Sequence, residues 1–441
     1  MADSLNQNIN VMEVGAGEQE ESGESSNEEE EAFDISIPAS HSYMGGSMRA
    51  VAGRRALAAG WRGALAVAAH ASALFPGDTV PLLLPRTPRM QALLDRIAND
   101  RVFGLLCPDA TGSRPSALGV VCEVLEAGGG EQAGFKARAA CRFRLSPARA
   151  RAHVIHLYAS MRVEEVEVLP ELRPAAPLRL ARLAALDARR RPLNAQMQRL
   201  EAIVSPWPAF LYHMFDYKRI RQEFCQFFKT LGFESLPEEP VSLSFWVASN
   251  LALSPRDHAA LLAAPGALQR LTLALRLMAN KTVLCCTSCR TDIALRHHIF
   301  AMSSEGLHSN YTNLGGYMHD VVTVSAARNT SLEGAPSAEY SWFPGYAWTI
   351  ALCAACAAHL GWRFEALKRN LQPQQFYGLC RTSVTPRAAD LDPEADLDLS
   401  DHDHDYDPDP DPDQRDPDDD HRYDPDLAQG IDLVLGQHNE T

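Results

Sequence analysis

Apolar positions along this chain fall into three successive patterns. Between residues 74 and 189 they come in short runs or in alternation with polar residues. The stretch "LFPGDTVPLLL" reads as a turn followed by a buried strand. In "TPRMQALLDRIAND", Thr87 can cap a helix and Pro88 suits its first position, while Met90, Leu93, Leu94 and Ile97 recur at helical spacing. "RVFGLLC" and "ALGVVCEVLEA" read as strands, with Gly128, Gly129 and Gly130 as a turn. In "FKARAACRFRL", Phe135, Ala137, Ala139, Cys141, Phe143 and Leu145 are set against Lys136, Arg138, Arg142 and Arg144. That alternation predicts a half-buried strand with one apolar face. The segment 74–189 is therefore expected to be a compact mixed domain.

After a linker, "LDARRRPLNAQ", the pattern turns helical. Phe210, Leu211, Met214, Phe215, Ile220, Phe224, Phe227, Phe228 and Leu231 form an apolar stripe. Ser254, Pro255 and Asp257 mark a capped helix start, and Leu268, Leu271, Leu275 and Met278 continue with helical period. Residues 190–280 are expected to form a small helical bundle, with one face available for a partner. From 281 to 388, prolines, glycines, β-branched residues and aromatics replace the leucine-rich helices, which predicts a β-rich module.

Charge changes the picture at the ends. The overall −15 is uneven: residues 1–32 carry −10 and residues 390–441 carry −18, leaving +13 on the middle. Both ends are expected to be disordered, 1–32 for want of core-forming residues and 389–441 because its aspartates repel and its prolines interrupt. The alternating His and Asp of "DHDHDYDPDP" suit a solubilising tail better than a metal site. Residues 33–73 are read as an N-terminal extension. In the basic middle the arginines are scattered, without a Lys/Arg block interleaved with aromatics, so a solvated surface is expected and no direct nucleic-acid binding. The longest apolar run, "GALAVAAHASALF", is too short to span a bilayer, and no secretory signal precedes it, so no membrane insertion is expected. Ten cysteines in an intracellular, soluble chain favour metal ligation over disulfides.

Two Cys-x-x-Cys pairs carry the clearest chemistry: Cys286 with Cys289, and Cys353 with Cys356. Four thiolates from two tight turns suit the closed tetrahedral shell of one structural Zn2+, with no open position for a catalytic water. Cys285 competes for the first place, but the two-residue spacing favours Cys286. His359 is nearby but would find the shell filled. Three of the six tryptophans, Trp342, Trp348 and Trp362, crowd the second pair. On a strand, Trp362 and Phe364 share a face. The cluster reads either as plain core or as an aromatic box. A box suits a flat or cationic guest. Methyl-lysine cages often include an acid, and Glu339 is expected to point away from Trp342 in an extended segment. A neutral planar ring held by backbone groups at the Pro-Gly turn therefore fits better.

"SWFPGYAWTIALCAACAAHLGWRF" resembles the cereblon family of substrate receptors of cullin-RING ubiquitin ligases, and "LCCTSC", "NLGGYMHD", "FPGDTVPLLL" and "IPASHSYMGG" resemble its other parts. The likeness runs over roughly residues 33–385. It implies an α+β multidomain fold: a Lon-N-terminal-like domain at 74–189, an adaptor-binding helical bundle at 190–280, and at 281–388 a zinc-bound, β-rich thalidomide-binding domain of the CULT, or β-tent, type. It implies a non-catalytic receptor, cytoplasmic and nuclear. Its implied partners are the DNA-damage-binding adaptor of the cullin-4 RING ligase, proteins with cyclic-imide C-terminal degrons, and imide small molecules. The implied cage is Trp342, Trp348, Trp362 and Phe364, with backbone hydrogen bonds from Tyr340 and Trp342 and with Asn313 on a hairpin beside it. The resemblance departs at Tyr340 and Gly315, where vertebrate members carry histidine.

Two other readings come from related folds. Lon proteases cleave with a Ser–Lys pair from another domain, and 74–183 offers none. Methionine sulfoxide reductases use a strand cysteine, for which Cys380 is oddly placed. A methyl-lysine or small-molecule reader without a ligase role remains the other alternative.

Overall fold

A computed structural model of the chain describes residues 30–45, 48–52, 57–130, 132–146, 162–174, 216–233, 235–278 and 282–387. The acidic tail, the linker, and Phe210, Leu211, Met214 and Phe215 of the expected stripe lie outside the described residues.

The described chain starts with β1 (Glu31–Ala32) and α1 (Ser36–Ser40). Of the stretch 1–32 expected to be disordered, residues 1–29 lie outside the described residues, and Glu31 and Ala32 form a strand. Glu31 N–H donates to Asn370 O, and Phe33 N–H to Gln372 O. The Phe33 ring then packs edge-on against Tyr346, at 5.3 Å between centroids. One aromatic anchor and two backbone bonds hold a segment whose composition alone reads as uncommitted.

Seven strands and a helix follow: β2 (Arg49–Ala50), β3 (Arg62–Ala69), β4 (Thr79–Pro85), α2 (Pro88–Asp100), β5 (Val102–Pro108), β6 (Pro115–Gly129), β7 (Gln132–Leu145) and β8 (Arg162–Val168). Their order is β2-β6-β5-β3-β8-β7-β4, and β6 also pairs with β7. The path β6-β5-β3-β8-β7 therefore closes on itself as a small barrel, which leaves fewer free edges. β3 is the long apolar run of the sequence, and it enters this sheet upstream of residue 74, the expected start of the domain. On α2, Thr87 Oγ1 accepts from Met90 N–H at 3.3 Å, and Met90, Leu94 and Ile97 are buried against the sheet.

The single apolar face expected for β7 does not hold along its length. The register with β6 shifts between Cys122↔Ala139 and Val121↔Cys141, so Ala140 is an extra residue. This bulge flips the parity. Phe135, Ala137 and Ala139 join the main core, while Phe143, with Cys141 and Leu145 against it, packs in a separate cluster with Leu65 and Val166. The flip also turns Arg142 inward, where it pairs with Glu171 and donates to Ala264 O at 2.8 Å.

The helices are α3 (Tyr217–Lys229), α4 (Pro240–Asn250), α5 (Pro255–Ala263) and α6 (Ala267–Met278). Ser254 caps α5 through Asp257 N–H, with Pro255 in its first turn. Ile220, Phe224 and Phe228 are the buried face of α3. Arg270 of α6 is fully buried. Its guanidinium lies 3.7 Å from the Phe245 ring centroid and donates to Ser244 Oγ, Leu261 O and Ala264 O, with Glu171 as counter-ion. Such a charge is stable in the interior because its donors are met by acceptors. No described helix is long and apolar enough to cross a membrane.

The last part contains β9 (Val283–Cys286), β10 (Asp292–Leu295), β11 (His308–Thr312), β12 (Met318–Val324), β13 (Thr330–Ser337), β14 (Tyr346–Cys353), β15 (His359–Ala366), β16 (Leu371–Gln372), β17 (Gln375–Cys380) and β18 (Val384–Arg387). A six-stranded antiparallel sheet, β11-β12-β17-β15-β14-β13, stands with a three-stranded sheet, β10-β9-β18, while β1 pairs with β16.

Three parts of the chain meet around Arg381. Its guanidinium pairs with Asp320 at 3.0 Å, donates to His308 Nδ1 at 3.1 Å and to Ser249 O at 2.6 Å, and lies 3.3 Å from His258 Nε2. Burial, then the Arg381 charge, hold the His308 imidazole down at about 4. The folded chain therefore resists a proton that the unfolded chain accepts near 6.5. This stabilisation is present above about pH 6.5 and is lost as pH falls towards 4, up to about 3 kcal/mol from His308 alone. Melting curves taken between pH 7.5 and 4.5 should show a steeper loss in wild type than in His308→Gln. Parallel losses would place the acid sensitivity elsewhere.

Candidate functional site

The Cys-x-x-Cys pairs meet at the end of the two sheets. Cys286 and Cys289 flank the turn between β9 and β10, and Cys353 and Cys356 the turn between β14 and β15. In each turn a residue in the left-handed region closes the loop: Arg290 N–H donates to Cys286 O, and Ala357 N–H to Cys353 O. The four sulfurs lie within 4.8 Å of one another. Cys286 and Cys356 are 3.7 Å apart, and Cys289 and Cys353 3.5 Å. A tetrahedron of thiolates about 2.3 Å from zinc has sulfur separations near 3.8 Å, so the geometry and the soft donor set fit one structural zinc. Cys285 is not part of it. Its thiol faces the other way and donates to Thr385 O at 3.2 Å.

The zinc turn sets the next strand. Leu352 pairs with His359 and Ala351 with Gly361, so Leu360 is an extra residue. Gly361 has φ of 148°, and a Cβ there would sit 2.0 Å from Gly378 O. Only glycine permits this close approach of β15 to β17. Beyond the bulge, Trp362 pairs with Ile350 and Phe364 with Trp348.

These residues line a cavity of about 490 Å3, together with Asn313, Tyr340 and Trp342. All six ligand-site residues expected from the sequence are thus at one place. Trp342 and Trp362 meet edge to face at 4.7 Å between centroids, and Tyr311 stacks behind Trp342 at 5.1 Å. Phe364 is buried at the base, against Phe343 and Phe376. Indole N–H groups tie the walls to the backbone: Trp342 Nε1 donates to Thr312 O at 3.3 Å, and Trp348 Nε1 to Glu339 O at 2.9 Å. Asn313 starts a tight turn in which its Oδ1 accepts from Tyr317 N–H at 2.9 Å.

The segment before Trp342 is a turn, not the extended chain expected. Tyr340 has φ of 55°, and Glu339 is among the residues lining the cavity, where its backbone O accepts from the Trp348 indole. Sequence reasoning also missed Tyr43 and His319 in the lining. Tyr43 reaches the site because its hydroxyl accepts from Thr312 N–H at 3.1 Å, a contact across 269 residues with no local signature. Burial holds the His319 imidazole down at about 4, so this wall is neutral near pH 7. Cys380 lies 3.9 Å from His319 Nδ1, but burial pushes its thiol up to about 12, which makes it a poor nucleophile.

Comparison with known proteins bears on both halves. Residues 65–280 match the family described as the ATP-dependent protease La (LON) substrate-binding domain. Residues 282–390 match the family described as Yippee zinc-binding/DNA-binding/Mis18, centromere assembly. The chain is 33% identical to the protein cereblon of Danio rerio, over 80% of this chain and 88% of that protein. It is 31% identical to the protein cereblon of Xenopus tropicalis, over 88% of this chain and 94% of that one. A Lon N-terminal domain protein from Xanthomonas campestris aligns with 49% of this chain and 99% of its own at 19% identity and a TM-score of 0.29, which adds nothing to the fold described above.

Proposed function

This chain belongs to the cereblon family, and from that premise we propose that it is a substrate-recognition subunit of a cullin-4 RING ubiquitin ligase. It binds cyclic-imide rings in the tryptophan cage and presents the bound protein for ubiquitination. It catalyses no reaction itself. We assign adaptor binding to the helical part, 190–280, and ligand binding to 281–388.

The observation that carries the reading is the cage itself. Two indoles at 78° to one another make adjoining walls, Phe364 makes the base, and His319 is neutral. A flat, uncharged ring loses little solvation on entering, and its imide N–H and C=O can pair with backbone groups of the turn at Tyr340 and Trp342. The buried, unreactive Cys380 counts against a reductase. Glu339 in the lining favours a methyl-lysine reader, since a carboxylate beside indoles suits an ammonium. Glu339 is exposed to solvent, however, where an ion pair is screened. Affinity purification of the chain from its own cells tests the ligase role: cullin-4 and its adaptor should co-purify, and their absence would remove the assignment.

Ile350 bears on what the bound ligand recruits. It is half-buried, lines the cavity beside Trp348, and pairs across the sheet with Trp362. Ile350→Val removes one methylene at the rim, worth about 0.8 kcal/mol when well buried and about 1–3 kcal/mol when forced into a tight interface. Imide affinity should hardly change, while the set of proteins captured with the imide should. A titration and a panel of ternary-complex assays on the same variant check this; an unchanged panel would make Ile350 plain core.

A further inference from the structure

A second cavity, about 650 Å3, lies where the barrel, helix α4 and the start of β11 meet. It shares no lining residue with the tryptophan cage. Its walls are unlike those of the cage. Among the described lining residues four are carboxylates, Asp78, Glu123, Glu171 and Glu305, and one is an arginine. Glu171 is already neutralised by Arg142 and Arg270. Glu305 faces His41 at 3.5 Å. The other two are in no direct ion pair among the described residues. Asp78 Oδ2 accepts the Phe75 N–H at 2.8 Å, with the Ser249 hydroxyl and the more distant Arg381 charge also favouring its carboxylate, and Glu123 Oε1 is buried without a hydrogen-bond partner. Arg138 stands opposite Glu123 on β7 but is exposed. Three further buried side chains in the lining have an unsatisfied atom. Asn310 gives its amide N–H to Thr79 O, which leaves Oδ1 without a donor; Ser309 Oγ has no partner; and His308, whose Nδ1 accepts from Arg381, is left with an Nε2–H that has no acceptor. Phe245 and Trp246 on α4 add aromatic surface to the wall, beside the polar Ser242, Ser249 and Asn250.

Buried oxygens of Glu123 and Asn310 without donors, an Asp78 carboxylate outside any direct ion pair, and an aromatic wall ask for an occupant that brings donors and positive charge. We propose that this cavity is a binding site for an organic ammonium ion, a primary amine carrying a flat apolar body. The ammonium, with three N–H donors and no acceptor, answers Asp78 and Glu123, while the body lies along Phe245 and Trp246. The present cost of the site is visible in Asp78, whose carboxyl burial pushes up to about 6, a shift that a bound cation reverses. Because barrel, helix and zinc-bearing part each supply lining residues, a molecule bound there holds all three together.

Phenethylamine is the probe, with 2-phenylethanol as its neutral counterpart, titrated by calorimetry into the full zinc-loaded chain at pH 7.4. The amine should bind at least about tenfold more tightly than the alcohol, as expected for a charge-assisted contact. Glu123→Gln and Asp78→Asn keep shape and accepting oxygens, and each should weaken the amine about fivefold or more while leaving the alcohol unchanged. Trp348→Ala should leave amine binding intact. Equal binding of amine and alcohol, or no binding of the amine in the millimolar range, overturns the proposal. So does loss of amine binding in Trp348→Ala, which would place the amine in the cage. An unfolded variant would show in its melting curve, and the amine–alcohol comparison in wild type decides the matter without it.

Discussion

Cys353→Ser should strip the zinc and unfold the zinc-bearing part, residues 282–387. Cys353 is the buried end of β14, so its thiolate ties the six-stranded sheet to the turn that starts the three-stranded one. A serine hydroxyl is a poor zinc ligand. The three remaining thiolates would be left close together around an open position. Structural zinc sites carry folding free energy directly, and loss of one ligand should cost several kcal/mol, about 3 or more. Metal analysis should give one zinc per chain in wild type and much less in the variant, with a melting transition lowered or lost. One zinc in the variant, or a wild-type melt, would mean that the four cysteines do not act together. Chelation of wild type by a strong zinc chelator should produce the same loss, and a Cys285→Ser control should produce none.

The second large effect is expected at Trp348. Its ring lines the cavity, and its N–H holds the turn that carries Tyr340 through Glu339 O. Trp348→Ala removes both. Truncation of a central aromatic typically costs about 2 kcal/mol or more, which is about thirtyfold in affinity for a glutarimide-type ring. Trp348→Phe, which keeps a wall but loses the N–H, should fall between. Since Trp348 is half-buried and lies apart from the zinc, the fold should persist in both. Fluorescence or calorimetric titration of the imide gives the answer, and equal affinity in Trp348→Ala would mean that the indole is core and not wall.

Local signals were legible in the sequence because each depends on a few neighbouring residues. Thr87 and Ser254 cap the helices they were expected to cap, since an N-cap is a contact across three residues. The cysteine spacing brought out the zinc site for the same reason, and alternation placed Trp362 and Phe364 on one face. Long-range geometry was not legible. The bulge at Ala140 changes which face Arg142 occupies, yet its sequence, "RAACR", reads as plain alternation. The segment at Glu339 and Tyr340 was misread as extended because the backbone at Tyr340 is left-handed, an unusual state for a residue other than glycine. Arg381 reads from sequence as one more surface arginine. Only the fold brings Asp320, His308, His258 and Ser249 around it. Tyr43 and β1 belong to the same class, since each is fixed by contacts with residues far away in sequence, Tyr43 with Thr312 of the cavity lining and β1 with β16.

The central claim is that the cage selects a neutral cyclic imide, and a single competition titration addresses it most directly. Three short peptides would be titrated against the tryptophan fluorescence of the full chain: one ending in a cyclic imide, the same peptide with the ring opened to the side-chain amide, and one bearing trimethyl-lysine. The cyclic-imide peptide should bind at least about tenfold more tightly than either of the others, because only it presents a flat, uncharged ring with an N–H between two carbonyls. Equal binding of the open and closed forms, or preference for trimethyl-lysine, would contradict the account.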